Sequence, residues 1–290
     1  MRLLTLVVLL LLAPVNYGRG GTPWPPLVPK LNSRDVASAA RDGHGVPPLQ
    51  LSQSKTPQPQ ANDRAIVTPR RVVIVRSGTL ARDFPGKKTA TVTYPVISGL
   101  KDPKVLKRVQ SILQIKNVFD TSLAEYREDT WLTEFGYKVN FNRNSILDIT
   151  FTQSGSGTYP DTHTKHFTIN LQTGTIIKAS DVFEPAKLRS LSALVNRKLQ
   201  DELKQIVKEN SGPGSDAEDT RMIKESQEVL EFKPENLDDF LVGAKGLTFL
   251  YDAGYPHAIQ AFEPAGRYFF SYSELKPYIK RDGLLGQFVE

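Results

Sequence analysis

The sequence predicts an α+β fold: an antiparallel sheet of hairpins packed against helices, in one globular domain after a disordered Pro-rich linker. Three observations carry this reading. Of the 290 residues, 39% are hydrophobic and 23% charged, enough apolar material for a core over most of the chain. Eleven of the 20 prolines fall before residue 88, so the non-globular sequence is gathered at one end. From Arg71 onward, short runs of period two alternate with segments of helical period.

The elements follow in order. Met1-Arg2, the uncharged run Leu3 to Ala13, and then Pro14, Asn16 and Gly18 have the charge, length and polar close of a secretory signal peptide, read as residues 1–21. The run is well short of the ~20 residues that a spanning helix requires. The mature chain is therefore expected to have no integral membrane span and to be periplasmic or extracellular, with retention as an N-terminal anchor the alternative. Residues 22–70, with Pro23-Trp24-Pro25-Pro26 and Pro47-Pro48, are read as the linker, because proline fixes φ and lacks the N–H donor. The domain is placed at 71–282, with 283–290 as a tail.

Val72 to Val75 and Thr89 to Tyr94 suit strands. Asp102-Pro103 is a cap and first-turn proline for a helix whose Val105, Leu106, Val109, Ile112 and Leu113 share one face. A shorter helix is predicted over 121–130. Two hairpins follow, Gly136–Phe141 with Ile146–Thr152, and His166–Leu171 with Thr175–Lys178; Gly174 supplies a positive φ in the second turn. Pro185 is read as opening a long helix striped by Leu188, Leu191, Leu194, Val195, Leu199, Leu203, Ile206 and Val207. A charged surface helix is predicted over 216–230, and closing strands at Gly246–Tyr251 and Arg267–Tyr272.

The composition removes several classes of function. Cysteine is absent, which excludes a disulfide scaffold, a cysteine-ligated metal and a cysteine nucleophile. The net charge of +6 suggests nucleic acid, yet residues 1–87 carry 12 Lys/Arg against 4 Asp/Glu, or +8. The other 203 residues thus carry 25 against 27, or −2, and no nucleic-acid partner is expected. Ser154-Gly155-Ser156-Gly157 is not a Gly-x-Ser-x-Gly elbow, and no phosphate-cradling Gly-Lys-Ser/Thr sequence occurs.

Several segments together resemble a known arrangement: Tyr94-Pro95-Val96-Ile97-Ser98-Gly99-Leu100 with its helix, Leu147 to Ser156 entering a Gly-rich turn, Phe167 to Gly174 leading to Asp181-Val182-Phe183, and Gly246 to Phe249 through Tyr272-Ser273-Glu274-Leu275. Their order and spacing are similar to the extracytoplasmic domain of RsiV-type, lysozyme-sensing anti-sigma factors, a domain of unknown function also found beside peptidoglycan deacetylase domains. The likeness spans about 71–282. It implies an envelope-facing module that binds rather than catalyses. The chain lacks the internal spanning helix and cytoplasmic segment of the anti-sigma members, so sigma regulation does not carry over. Family members often have Gly-Ala-His-Pro in the turn where this chain has Gly157-Thr158-Tyr159-Pro160; Tyr159 stands in place of the histidine.

Asp161, His163 and His166 are side chains that zinc accepts. On a strand, however, positions 163 and 166 point to opposite faces, so they are read as hairpin-surface histidines and no metal site is assigned. Tyr159, His163, Tyr255 and His257 are the candidate binding residues, an aromatic and polar ledge for a sugar or protein partner. No catalytic residue and no cofactor is expected. The reading is an exported, non-enzymatic envelope module recognising a cell-wall glycan or a wall-degrading enzyme such as lysozyme. The alternative is a metal-dependent cell-wall hydrolase or deacetylase.

Overall fold

A computed structural model describes residues 63–157, 159–211, 217–255 and 257–289, the side chains of residues 217, 219, 257 and 258 aside. All belong to the second of two compact units, Lys55–Glu290. The segments read as signal peptide and linker lie, up to residue 62, outside the described residues. The fold is α+β, as the hairpin and helix patterns predict.

In chain order the elements are β1 (Ile66–Val75), α1 (Gly78–Asp83), β2 (Thr89–Ser98), α2 (Pro103–Ile112), α3 (Ile115–Val118), α4 (Leu123–Glu128), β3 (Leu132–Arg143), β4 (Ile146–Ser156), β5 (Pro160–Asn170) and β6 (Thr175–Ile176). Then come α5 (Ala179–Val182), α6 (Leu188–Glu209), α7 (Ala217–Gln227), β7 (Phe240–Val242), β8 (Gly246–Leu250), β9 (Arg267–Ser271) and α8 (Tyr272–Leu275). Strands β1 to β6 form one sheet in sequence order, and β7 to β9 a second. Every neighbouring pair is antiparallel except β2–β3, which meet in parallel through Thr91 and Val92 after the α2–α4 crossover.

Local chemistry explains the turns and caps. Asn144 and Ser145 both take positive φ, 54° and 59°, the two-residue turn that matches strand twist between β3 and β4. Asp102 caps α2 by accepting from the Lys104 amide at 2.7 Å, and Pro103 follows at the first turn. Ser122 and Glu125 form a capping box at α4. The expected stripe on α6 is buried at Leu191, Val195, Leu199 and Leu203.

The large sheet has two covered faces. Leu147, Ile149 and Phe151 of β4, with Phe167 and Ile169 of β5, join α2–α4 in one core. Ile146 turns the other way, into a second core with α5, α6, β7–β9 and α8. One face of the sheet thus carries the helices and the other the small sheet with α6.

Four expectations need correcting. The first strand begins at Ile66, inside the span read as linker. Pro69 does not prevent this, because it lies opposite Pro95 in the β1–β2 ladder. Arg76 N–H donates to the Lys88 carbonyl at 2.9 Å, so even-numbered residues of β1 bond to β2 and Pro69 faces the open edge, where no donor is missed. Within the span 283–290, read as a tail, Leu285 and Val289 are buried in the core, and Phe288 stacks on Tyr272 with centroids 4.8 Å apart. Pro185 opens a 3-10 turn, Pro185–Lys187, and α6 starts at Leu188. The return strand of the second hairpin is only Thr175–Ile176, because Ile177 turns into the second core.

Candidate functional site

An open cleft of 1010 Å³ lies between the outer half of β5 and the segment joining β8 to β9. Strand β6 pairs with β5 only at Ile169 and Asn170, which leaves the β5 edge from Pro160 onward uncovered on this side. Three of the four candidate binding residues, Tyr159, His163 and Tyr255, line the cleft. His257 opens the 3-10 turn His257–Phe262, and its side chain lies outside the described residues.

Two glycines bring the aromatic walls into place. A Cβ on Gly155 would fall 1.8 Å from the Trp131 carbonyl, so only glycine lets the end of β4 run against Trp131; the Ser156 amide then bonds that carbonyl at 2.9 Å. Trp131 packs on the His163 ring, centroids 5.4 Å apart. Opposite, Gly266 has φ +62° and approaches the Tyr251 carbonyl too closely for a side chain. Its own carbonyl accepts from the Tyr251 amide at 2.9 Å, which closes the loop that presents Tyr251 and Tyr255. Glu202 of α6 pins the same loop, accepting from the Ala265 amide and the Tyr268 hydroxyl, each at 2.8 Å.

The cleft is both aromatic and charged. Trp131, Tyr159, Tyr251 and Tyr255 supply rings, and Asp161, Asp239, Asp252, Glu263, Lys165 and Arg267 supply charge. The carboxylates are held by local donors: Asp161 by His163 (3.1 Å) and the Thr162 amide (2.7 Å), and Asp252 by the Gly254 amide (2.8 Å). Burial pushes the Tyr255 phenol pKa up, with Glu263 and Tyr251 adding to the shift, and its hydroxyl oxygen is buried without a hydrogen-bond partner.

At the floor stands His166. The reading of 163 and 166 on opposite faces agrees with the unbroken β4–β5 register, but His166 is not a surface histidine. Its side chain is 6% exposed, and its ring nitrogens meet Asp148 Oδ1 at 3.0 Å and Asp239 Oδ1 at 3.1 Å. Burial works against the charged ring, but the hydrogen bonds to the two carboxylates and their negative charge outweigh it and push the pKa up to about 9. Near neutrality His166 is thus an imidazolium donating from both nitrogens. Asp148, fully buried, also accepts from Asn140 Nδ2 (2.7 Å) and from the Val242 amide (2.6 Å). Asn140 sits at a register shift of β3, between Val139 and Phe141, which aims it at Asp148.

Reading along the chain missed Trp131, Tyr251 and the Asp148–His166–Asp239 chain. A signal for the last was present: Asp148 interrupts the apolar run Ile146-Leu147-Asp148-Ile149, and a carboxylate there must be buried with partners. Among the described residues no three His, Asp or Glu side chains are grouped to hold a metal ion. No helix among them is long and apolar enough to cross a membrane.

No protein-family model matches the chain, and no curated protein matches it. The solved structures similar to it include two of the DUF3298 family. One is a DUF3298 family protein from Pseudomonas aeruginosa, with a TM-score of 0.48 and 11% identity over 75% of this chain and 94% of that one. The other is a member of the DUF3298 family from Bacteroides fragilis, with a TM-score of 0.48 and 13% identity over 80% of this chain and 99% of that one.

Proposed function

We propose that this chain is an exported, non-enzymatic binding module of the cell envelope whose cleft takes a cell-wall glycan. The observation that carries the proposal is the cleft's shape and lining: a concave site of 1010 Å³ with Trp131, Tyr159, Tyr251 and Tyr255 on its walls. Flat rings stack on the apolar faces of sugar rings, while the interleaved Asp161, Asp252, Lys165 and Arg267 suit hydroxyl and amide groups. A flat patch would instead suit a protein surface. The signal-peptide pattern of residues 1–21 and the resemblance to RsiV-type envelope domains support location outside the cytoplasm.

The chemistry of the floor supports binding over turnover. A general base needs a free lone pair, and both His166 nitrogens are engaged by carboxylates. His163, the other histidine of the cleft, is bonded to Asp161 and stacked on Trp131. For a metal-dependent hydrolase, His163 and His166 would have to share one ion, and they lie on opposite faces of β5.

Calorimetric titration of the full chain with soluble peptidoglycan strands tests the proposal, with lysozyme titrated in parallel. Binding of the glycan, weakened about tenfold or more (~1.4 kcal/mol) in Trp131→Ala and in Tyr255→Ala, is the expected result. Binding of lysozyme alone would reassign the cleft to a protein partner. Release of new reducing ends or free acetate from the glycan would overturn the non-enzymatic reading.

A further inference from the structure

A second concavity, of 530 Å³, lies away from the cleft and shares no lining residue with it. It forms where the large sheet opens. Strand β3 leaves β2 after Val92, and the end of α2, α3 and the start of α4 occupy the place a neighbouring strand would take. Pro95, Ile97, Leu113 and Ile115 form a buried floor, Tyr94 and Leu123 are half-buried around it, and Ala124 stands exposed at its edge. Val96 lines the same groove with 40% of its surface exposed.

The backbone of this groove is poorly suited to an added strand. Because even-numbered residues of β1 bond to β2, and each faces an even-numbered partner, the odd residues of β2 point toward the groove side. Of these, Pro95 has no N–H, and the Ile97 carbonyl already accepts from Gln110 Nε2 at 2.9 Å. An extended peptide laid here would find neither an N–H at Pro95 nor a free carbonyl at Ile97, and would leave part of its own amides and carbonyls unpaired. An alkyl chain has no such groups to satisfy.

The polar side chains of the lining, Gln110, Gln114, Lys116 and Ser122 with the Tyr94 hydroxyl, belong to exposed or half-buried residues. Lys116 is the charged residue of the lining, and Lys107 stands one turn before Gln110 on the same side of α2. Neither lysine takes part in an ion pair among the described residues. Glu125, the nearest acid on α4, is turned back onto the Ser122 amide at 2.6 Å. An apolar trough with unpaired ammonium groups at its mouth complements an apolar chain that ends in an anion. Its volume falls in the range of about 300–1,000 Å³ usual for small-molecule sites.

We propose that this groove binds a free single-chain anionic amphiphile, its alkyl chain on Pro95, Ile97, Leu113 and Ile115 and its acidic head against Lys116 and Lys107. A free amphiphile fits better than a bilayer lipid, because Lys107, Gln110, Gln114 and Lys116 surround the groove with exposed polar side chains rather than a flat apolar plane.

The test is titration of the full chain with dodecanoate below its micellar concentration, followed by calorimetry and amide NMR. Dodecyltrimethylammonium and dodecyl maltoside provide cationic and neutral heads on the same chain. One dodecanoate per chain, bound at least tenfold more tightly than the cationic analogue, is expected. Lys116→Glu should abolish or reverse that preference, and Ala124→Trp should fill the groove and remove binding. Lys116→Glu lies on the surface and keeps the test valid if Ala124→Trp does not fold. Equal binding of the three heads, no binding, or dodecanoate binding untouched by both variants would overturn the proposal. So would binding to phosphatidylglycerol vesicles, or to an acidic amphipathic helical peptide, without binding of free dodecanoate. Trp131→Ala should leave dodecanoate binding unchanged, so this result and the glycan result are read separately.

Discussion

His166 joins two carboxylates that arrive from different parts of the chain, Asp148 on β4 and Asp239 just before β7. The ring is thereby a strut between the large sheet and the small one. Its folded pKa, about 9, is above the unfolded value of about 6.5. The folded state therefore holds the proton more tightly, and the resulting stability is full below about pH 6.5. It declines as pH rises from there and is lost once pH passes about 9, a total on the order of 3 kcal/mol. Urea unfolding measured between pH 6 and pH 10 should show this fall, and His166→Gln should flatten it; an unchanged slope in the variant would remove His166 as its source. Arg76 fills a different role with the same economy of partners. Its buried guanidinium donates to the carbonyls of Asp129 (2.6 Å), Lys87 (2.8 Å), Tyr126 (3.3 Å) and Leu132 (2.8 Å), tying the end of β1 to α4 and β3. Burial lowers its pKa, with Asp129 opposing the shift.

Among the elements, β1 shows best how backbone direction governs tolerance. Val72 bonds inward to β2, whereas Val73, half exposed, turns its amide to the open edge. Val73→Pro should therefore cost less than about 1 kcal/mol, while Val72→Pro removes a ladder bond and should cost about 3 kcal/mol. Thermal melts of the two variants check this; equal losses would mean that the edge is paired in solution. The hairpins, the α2 cap and the α6 stripe were legible along the chain because each is set within a few residues: Asn144-Ser145 for the turn, Asp102-Pro103 for the cap, and a repeat of four for Leu191, Val195, Leu199 and Leu203. The start of β1 was not, because prolines argue against a strand until the partner strand shows which way each amide faces. Strand β7, three residues long, is too short for periodicity to register.

At the scale of the molecule, two cores share one sheet. Neighbouring residues of β4 feed opposite cores, Ile146 toward α6 and Leu147 toward α2. The last residues close the second core, with Leu285 and Val289 buried and Phe288 against both Tyr272 and Phe141. A chain stopped after Asp282 exposes that surface and should lose on the order of 5 kcal/mol, close to the whole stability of many domains. Circular dichroism and the urea midpoint would show it; a midpoint equal to that of the full chain would mean that these residues are a tail after all.

Fold class, most helices and hairpins, and the cleft residues Tyr159, His163 and Tyr255 could be read along the chain, because turn residues, caps and hydrophobic period act over a few positions. Which surfaces face each other could not. Trp131 and Tyr251 meet the cleft only because Gly155 and Gly266 allow close backbone approach, and His166 is charged only because Asp148 and Asp239 lie 18 and 73 residues away. Burial and charge at these positions are properties of partners distant in the chain, and packing alone brings them together.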